Sequence, residues 1–179
     1  MDLTEIIEAT DWDAYREAVQ SAARAALGRY CHKPRAANDK VYQVEIWTDI
    51  RARLTAVNFE TLHHAFQAML GGQLPLSDEE IESYLPTCTG VVHNTNPANF
   101  LYSQYIMVAN PELMDLARQD LLDDDIGAAV CSRVDRELVD AISELIDAGE
   151  FSRLPHEPGV WFAMYTVQSG EAAPNYLLI

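Results

Sequence analysis

Lysine is nearly absent from this chain: Lys33 and Lys40 stand against ten arginines, and none follows position 40. Cysteine is scarce as well. Cys31, Cys88 and Cys131 are odd in number and far apart, which argues against a disulfide framework and fits a reducing compartment. Long apolar runs are missing; stretches such as 159–165 are far too short to span a bilayer. No basic segment precedes an apolar run near the start, where the first fifteen residues hold five acids and no base, so nothing there has signal-peptide chemistry. The Gly71-Gly72 pair lacks the surrounding residues of a dinucleotide or phosphate loop and is read as a helix stop. These absences leave a cytoplasmic protein with no membrane segment as the expectation.

What is abundant is acid, and it is segregated. The net charge is −16 over 179 residues. Residues 16–53 hold eight of the twelve basic residues and carry a net +4. Residues 54–179 have nineteen acids against Arg118, Arg133, Arg136 and Arg153, a net −15. Such a surface repels nucleic acid and anionic membranes and attracts cationic partners. An apolar content of 49% supplies a sizeable core, so the acidity does not imply disorder, and the length fits a single domain over 1–179.

Hydrophobic periodicity predicts a helix over 12–30, capped by Thr10, with Trp12, Tyr15, Val19, Ala22, Ala26 and Tyr30 on one face. Val41–Thr48 alternates as a strand, and 54–57 is a second short β segment. Asn58 reads as the cap of a helix over 59–70, and Ser77-Asp-Glu-Glu80 as the capping box of a short acidic helix ended by Pro86. Residues 86–99 have loop chemistry, and 100–108 suit a strand. Asn110-Pro111 starts a helix to about 122, Asp123-Asp124-Asp125 caps the next over 126–148, and 159–167 is a buried strand, with a last strand or docked tail over 175–179. Helices between well-separated strands point to an α+β fold, several helices packed on a small mixed sheet.

Catalytic signals are thin. Glu60 and His64 stand at i, i+4 and have the geometry to chelate a metal from one helix face, but His63 points elsewhere and no third ligand is signposted; a solvated ion pair is the plainer reading. Cys88 and His93 share a loop, the minimum for thiol chemistry, although buried structural cysteine explains all three thiols as well. The Asp123–Asp125 run lacks EF-hand spacing and reads as a capping turn. No cofactor or metal is expected.

The acidic helices carry the stronger signal. Between Glu112 and Glu150 twelve acids face three arginines. Asp135, Glu137, Asp140, Glu144 and Asp147 are expected to project outward if the apolar stripe of Ala129, Val130, Val134, Leu138, Ala141, Ile142, Leu145 and Ile146 is buried. Like charges along one helix side cost a few tenths of a kcal/mol per pair, which a cationic partner relieves. Asp78, Glu79, Glu80 and Glu82 form a second acidic patch, with Tyr84, Tyr102 and Tyr105 as possible aromatic anchors. A merely soluble acidic face is the alternative.

The stretch Val41-Tyr-Gln-Val-Glu-Ile-Trp-Thr-Asp49, the turn Gly149-Glu150-Phe151 and the strand Val160-Trp-Phe-Ala-Met-Tyr165 resemble an uncharacterised family of small bacterial α+β proteins. The outline is similar to the small acidic immunity proteins that bacteria encode beside secreted toxins. That resemblance implies a non-enzymatic protein that neutralises a basic toxin domain by covering its active site. It carries no catalytic residues across. The alternatives are a small hydrolase or metal-dependent enzyme using Glu60/His64 or Cys88/His93, and a subunit whose apolar stripes bury in a homo-oligomer.

Overall fold

A computed structural model describes residues 2–32, 40–61, 64–65, 101–167 and 175–178. Their frame is two long helices packed on one face of a five-stranded sheet. Helix α2 (Trp12–Cys31) begins where the Asp11 side chain accepts from the Ala14 N–H at 3.0 Å. Thr10, the expected cap, instead ends a preceding short helix, α1 (Leu3–Ala9), which Asp2 and Glu5 open with a reciprocal capping box. After α2 come strands β1 (Val41–Asp49) and β2 (Leu54–Thr61), then β3 (Tyr102–Ala109). Helix α3 (Asp124–Asp147) leads, through Gly149 and a 3₁₀ turn, to β4 (His156–Thr166), and β5 (Asn175–Leu178) completes the sheet.

The strand order is β3-β2-β1-β4-β5. The central pair, β1 and β4, is parallel, and the other neighbours are antiparallel. The fold is α+β, as the sequence predicts. Helices α2 and α3 lie side by side on one face and run in the same direction, since Arg16, Gln20 and Arg24 meet Glu137, Glu144 and Glu150 in order. The core fills the space between: Val44, Ile46, Val57, Phe59, Phe162 and Met164 from the sheet, with Tyr15, Val19, Ala22, Ala26, Leu27 and Tyr30 from α2 and Val130, Val134, Leu138, Ala141, Ile142 and Leu145 from α3. The helix stripes predicted from periodicity are the buried ones, save that Ala129 is exposed and Ile146 half-buried.

Three expectations are corrected. Residues 58–61 continue β2 rather than starting a helix, so Asn58 is a buried strand residue and not a cap; helical backbone is found at 64–65. Residues 111–122 form two 3₁₀ turns, Pro111–Leu113 and Leu116–Arg118, instead of one α-helix. The Asn110 side chain does not cap, because a buried polar chain claims it: Asn110 Oδ1 can only accept, so Thr55 donates to it at 2.9 Å, Thr48 to Thr55 at 2.8 Å, and Tyr15 to Thr48 at 2.7 Å. The expected acidic helix after Ser77, the loop 86–99, and Gly71, Gly72, His63, Cys88 and His93 lie outside the described residues.

Glycine placement gives a test of the packing. Alanine is ordinarily preferred to glycine inside a helix by about 1 kcal/mol. In α2 a Cβ at Gly28 would meet nothing, whereas one at Gly127 in α3 would strike the Leu121 carbonyl oxygen at 2.6 Å. Gly28→Ala is therefore expected to stabilise by roughly 0.5–1 kcal/mol. Gly127→Ala should destabilise by about 1–3 kcal/mol, reversing the usual sign. Urea unfolding of both variants checks the pair.

Candidate functional site

Burial divides the acidic residues into two populations. On α3, Glu137 is 3% exposed and bridges two helices: Arg16 of α2 donates to one oxygen at 2.6 Å and Arg133 to the other at 2.5 Å. Arg133 also lies over the Trp12 ring, 4.9 Å from its centroid, and the Trp12 indole donates to the Ile7 carbonyl at 2.8 Å, tying α1 into the same junction. The outward projection expected of Glu137 is thus corrected; its position one turn from Val134 and Ala141 places it at the edge of the buried stripe. Asp135 is half-buried, and desolvation raises its carboxyl to about 6 against hydrogen bonding from Thr166.

Asp140, Glu144 and Asp147 are exposed, at i, i+4 and i+7 along one side of α3. Glu144 accepts from the Gln20 amide at 2.7 Å. At the start of α3, Asp123 caps the Asp125 and Ile126 N–H groups, as the sequence predicts, and Asp120, Asp124 and Asp125 are exposed beside it. Among the described residues no cation pairs with Asp120, Asp124, Asp125, Asp140 or Asp147. Within this run Leu122 is 78% exposed, and Met114 is also exposed. Tyr102 and Tyr105 pack edge-on against Tyr30 and each other, which removes them as free surface anchors. Asp78, Glu79, Glu80, Glu82 and Tyr84 lie outside the described residues.

A second cluster occupies the sheet face turned away from α2 and α3. Strand alternation that sends Val44 and Ile46 into the core sends Gln43, Glu45 and Trp47 the other way. In register, Gln43 opposes Glu60 and Glu45 opposes Asn58 on β2, while Ala163 opposes Glu45 and Tyr165 opposes Trp47 on β4. Gln43, Glu45, Asn58 and Glu60 are all buried. Tyr165 donates its hydroxyl to Glu45, and the Asn58 amide donates to the Glu45 main-chain oxygen at 3.1 Å. Burial pushes the Glu45 carboxyl up to about 7 despite the Tyr165 bond.

Glu60 is raised too, again chiefly by burial, with hydrogen bonds from His64, the Thr61 N–H and the Leu101 N–H pulling it down. His64 Nδ1 lies 2.9 and 3.0 Å from the two Glu60 oxygens. The bond predicted between Glu60 and His64 therefore forms, but with a fully buried carboxylate at a strand end rather than on a solvated helix face. In the tautomer that donates Nδ1–H to the carboxylate, Nε2 carries the lone pair, the arrangement that orients a histidine base. Among the described residues no three His, Cys, Asp or Glu side chains converge as a metal centre needs. Cys31 donates to the Arg153 carbonyl at 3.3 Å, and Cys131 is buried, its thiol raised by desolvation. No described helix is long and apolar enough to cross a membrane.

Sequence reasoning missed Gln43, Glu45, Asn58 and Tyr165 as a group. The available signal was polar residues at every second position of two strands, 43/45 and 58/60, which reads as a solvated sheet face unless something covers it.

Two outcomes test this electrostatic sorting. Glu137→Gln should destabilise by about 2–3 kcal/mol in urea unfolding, the scale of a charged hydrogen-bonded group lost from a buried site. For Glu45 the folded carboxyl titrates above the unfolded one, so the folded state holds the extra proton between pH 4.5 and 7. Its contribution is complete below the unfolded value and lost as pH rises through the folded one, on the order of 3 kcal/mol. Glu45→Gln, which mimics the protonated form, should flatten that fall and match or exceed the unsubstituted protein at pH 8. No protein-family model, curated protein or solved structure matches this chain, so the functional reading rests on these side chains.

Proposed function

We propose that the protein is a non-enzymatic acidic binding protein of the immunity type, which neutralises a basic toxin domain by covering its active site. The observation that carries this reading is the exposed surface formed by α3 and the turn before it. Asp120, Asp124, Asp125, Asp140 and Asp147 are exposed without a cationic partner among the described residues, and Leu122 stands 78% exposed in the same run. An aliphatic anchor within a field of one sign suits an interface in which charge speeds encounter and apolar burial slows release. Glu137, withdrawn into the helix junction, holds that surface in place rather than contributes to it. Within this run Asp123 caps α3 and Asp120 accepts from the Leu122 N–H at 3.1 Å.

A second reading, a small hydrolase, is favoured by one observation, the His64 ring held by a buried carboxylate. Exchange of His64 for Gln would abolish any hydrolysis of ester or amide substrates by that route, and the binding reading has no use for it.

For the leading reading, the double variant Asp140→Lys/Glu144→Lys should slow association with a basic partner by about tenfold and flatten its dependence on salt, with little change in dissociation. Leu122→Ala should act oppositely, raising the dissociation rate and sparing association. Stopped-flow kinetics at two ionic strengths separates the two effects, and unchanged rates in both variants would remove α3 from the interface.

A further inference from the structure

We propose that the sheet face turned away from the helices holds a binding site for a small organic cation, an alkylammonium or alkylguanidinium group, seated between Gln43 and Glu45. This inference is independent of the acidic surface on α3. Gln43 is 3% exposed, and its Oε1 atom has no hydrogen-bond partner among the described residues. A buried acceptor left empty is unfavourable and calls for a donor.

The neighbouring groups do not supply one. Asn58 gives an amide N–H to the Glu45 main-chain oxygen, and the Tyr165 hydroxyl is committed to the Glu45 carboxylate. Glu60, directly opposite Gln43, is itself an acceptor already served by His64, Thr61 and Leu101. The unspent capacity at this spot is therefore acceptor capacity, one amide oxygen beside a carboxyl group two residues along the same strand face. Its chemical complement is a compact group that offers several N–H donors and positive charge.

Two further features fit such an occupant. Ala163, opposite Glu45, is a small residue that carries nothing beyond Cβ. Trp47, next on the same face, supplies an aromatic surface of the kind that attracts organic cations. A divalent metal fits less well, because no three ligating side chains converge among the described residues. In a desolvated setting each charge-assisted bond counts for more than it would in water.

The test uses the full chain with methylammonium chloride and methylguanidinium chloride as probes, and sodium and magnesium chloride at matched ionic strength as controls. The readouts are the Gln43 side-chain amide resonances and calorimetric binding. The expected result is a saturable shift of the Gln43 amide with one or both organic cations and none with the inorganic salts. Gln43→Met and Glu45→Gln should each weaken binding about tenfold or more, while Glu17→Lys, at an exposed position on α2, leaves it unchanged. Circular dichroism establishes that each variant is folded; should either fail to fold, the titration of the unsubstituted protein still decides. No saturable shift, an equal response to magnesium, or unaltered affinity in folded Glu45→Gln would overturn the proposal and leave the Gln43 oxygen to buried water.

Discussion

A single carboxylate fixes how the two long helices meet. Glu137, buried between Arg16 and Arg133, links α2 to α3 and, through Arg133 and Trp12, brings α1 to the same point. Its energetic return is bounded, because desolvating three charged groups offsets much of their attraction, and an apolar replacement of similar shape is often as stable. What the ion pair does that a leucine would not is choose a register. Apolar stripes slide past one another at small cost, whereas a carboxylate that must meet two guanidinium groups does not. With that register set, Val134, Leu138 and Ala141 face the sheet, and Asp140, Glu144 and Asp147 face outward.

The same logic separates the remaining acids. On the outer side of α3, carboxylates stand in water, where repulsion among them is weak and screened by salt. On the far side of the sheet, Glu45 and Glu60 lose their hydration and are retained by specific donors, Tyr165 for one and His64 with two main-chain N–H groups for the other. One chain thus uses acid in three ways: as a clamp between helices, as an outward field, and as a buried polar layer. In the last, burial pushes the Glu45 carboxyl toward neutrality, the condition that proton transfer or ligand recognition exploits.

Much of the fold was legible in the sequence because the long elements repeat their signal. Twenty and more residues of helical periodicity define α2 and α3, alternation marks β1, and a continuous apolar run marks β4. The second half of β2 was not legible: Asn58 has cap chemistry, and Phe59 with Leu62 mimics helical spacing, while the buried Asn58 and Glu60 break the rule that the polar side of a strand meets water. The 3₁₀ turns at 111–118 were hidden for a related reason, since Asn110 is drawn into the Thr55–Thr48–Tyr15 chain by partners more than fifty residues away. Helix α1, at seven residues, is too short for periodicity to announce it. Among the acids, spacing alone separated Asp140, Glu144 and Asp147 from the core, but Glu137 at the stripe's edge needed the tertiary position of Arg16.

The account stands most directly on the claim that burial, not sequence neighbourhood, decides what each carboxylate does. Carbon-13 NMR titration of the side-chain carboxyl of Glu45 measures that claim at the residue where the contrast is largest. A midpoint near pH 7, well above the ordinary 4.5, is the expected result. A midpoint in the ordinary range would put Glu45 in water and contradict the buried polar layer on which the far side of the sheet is interpreted.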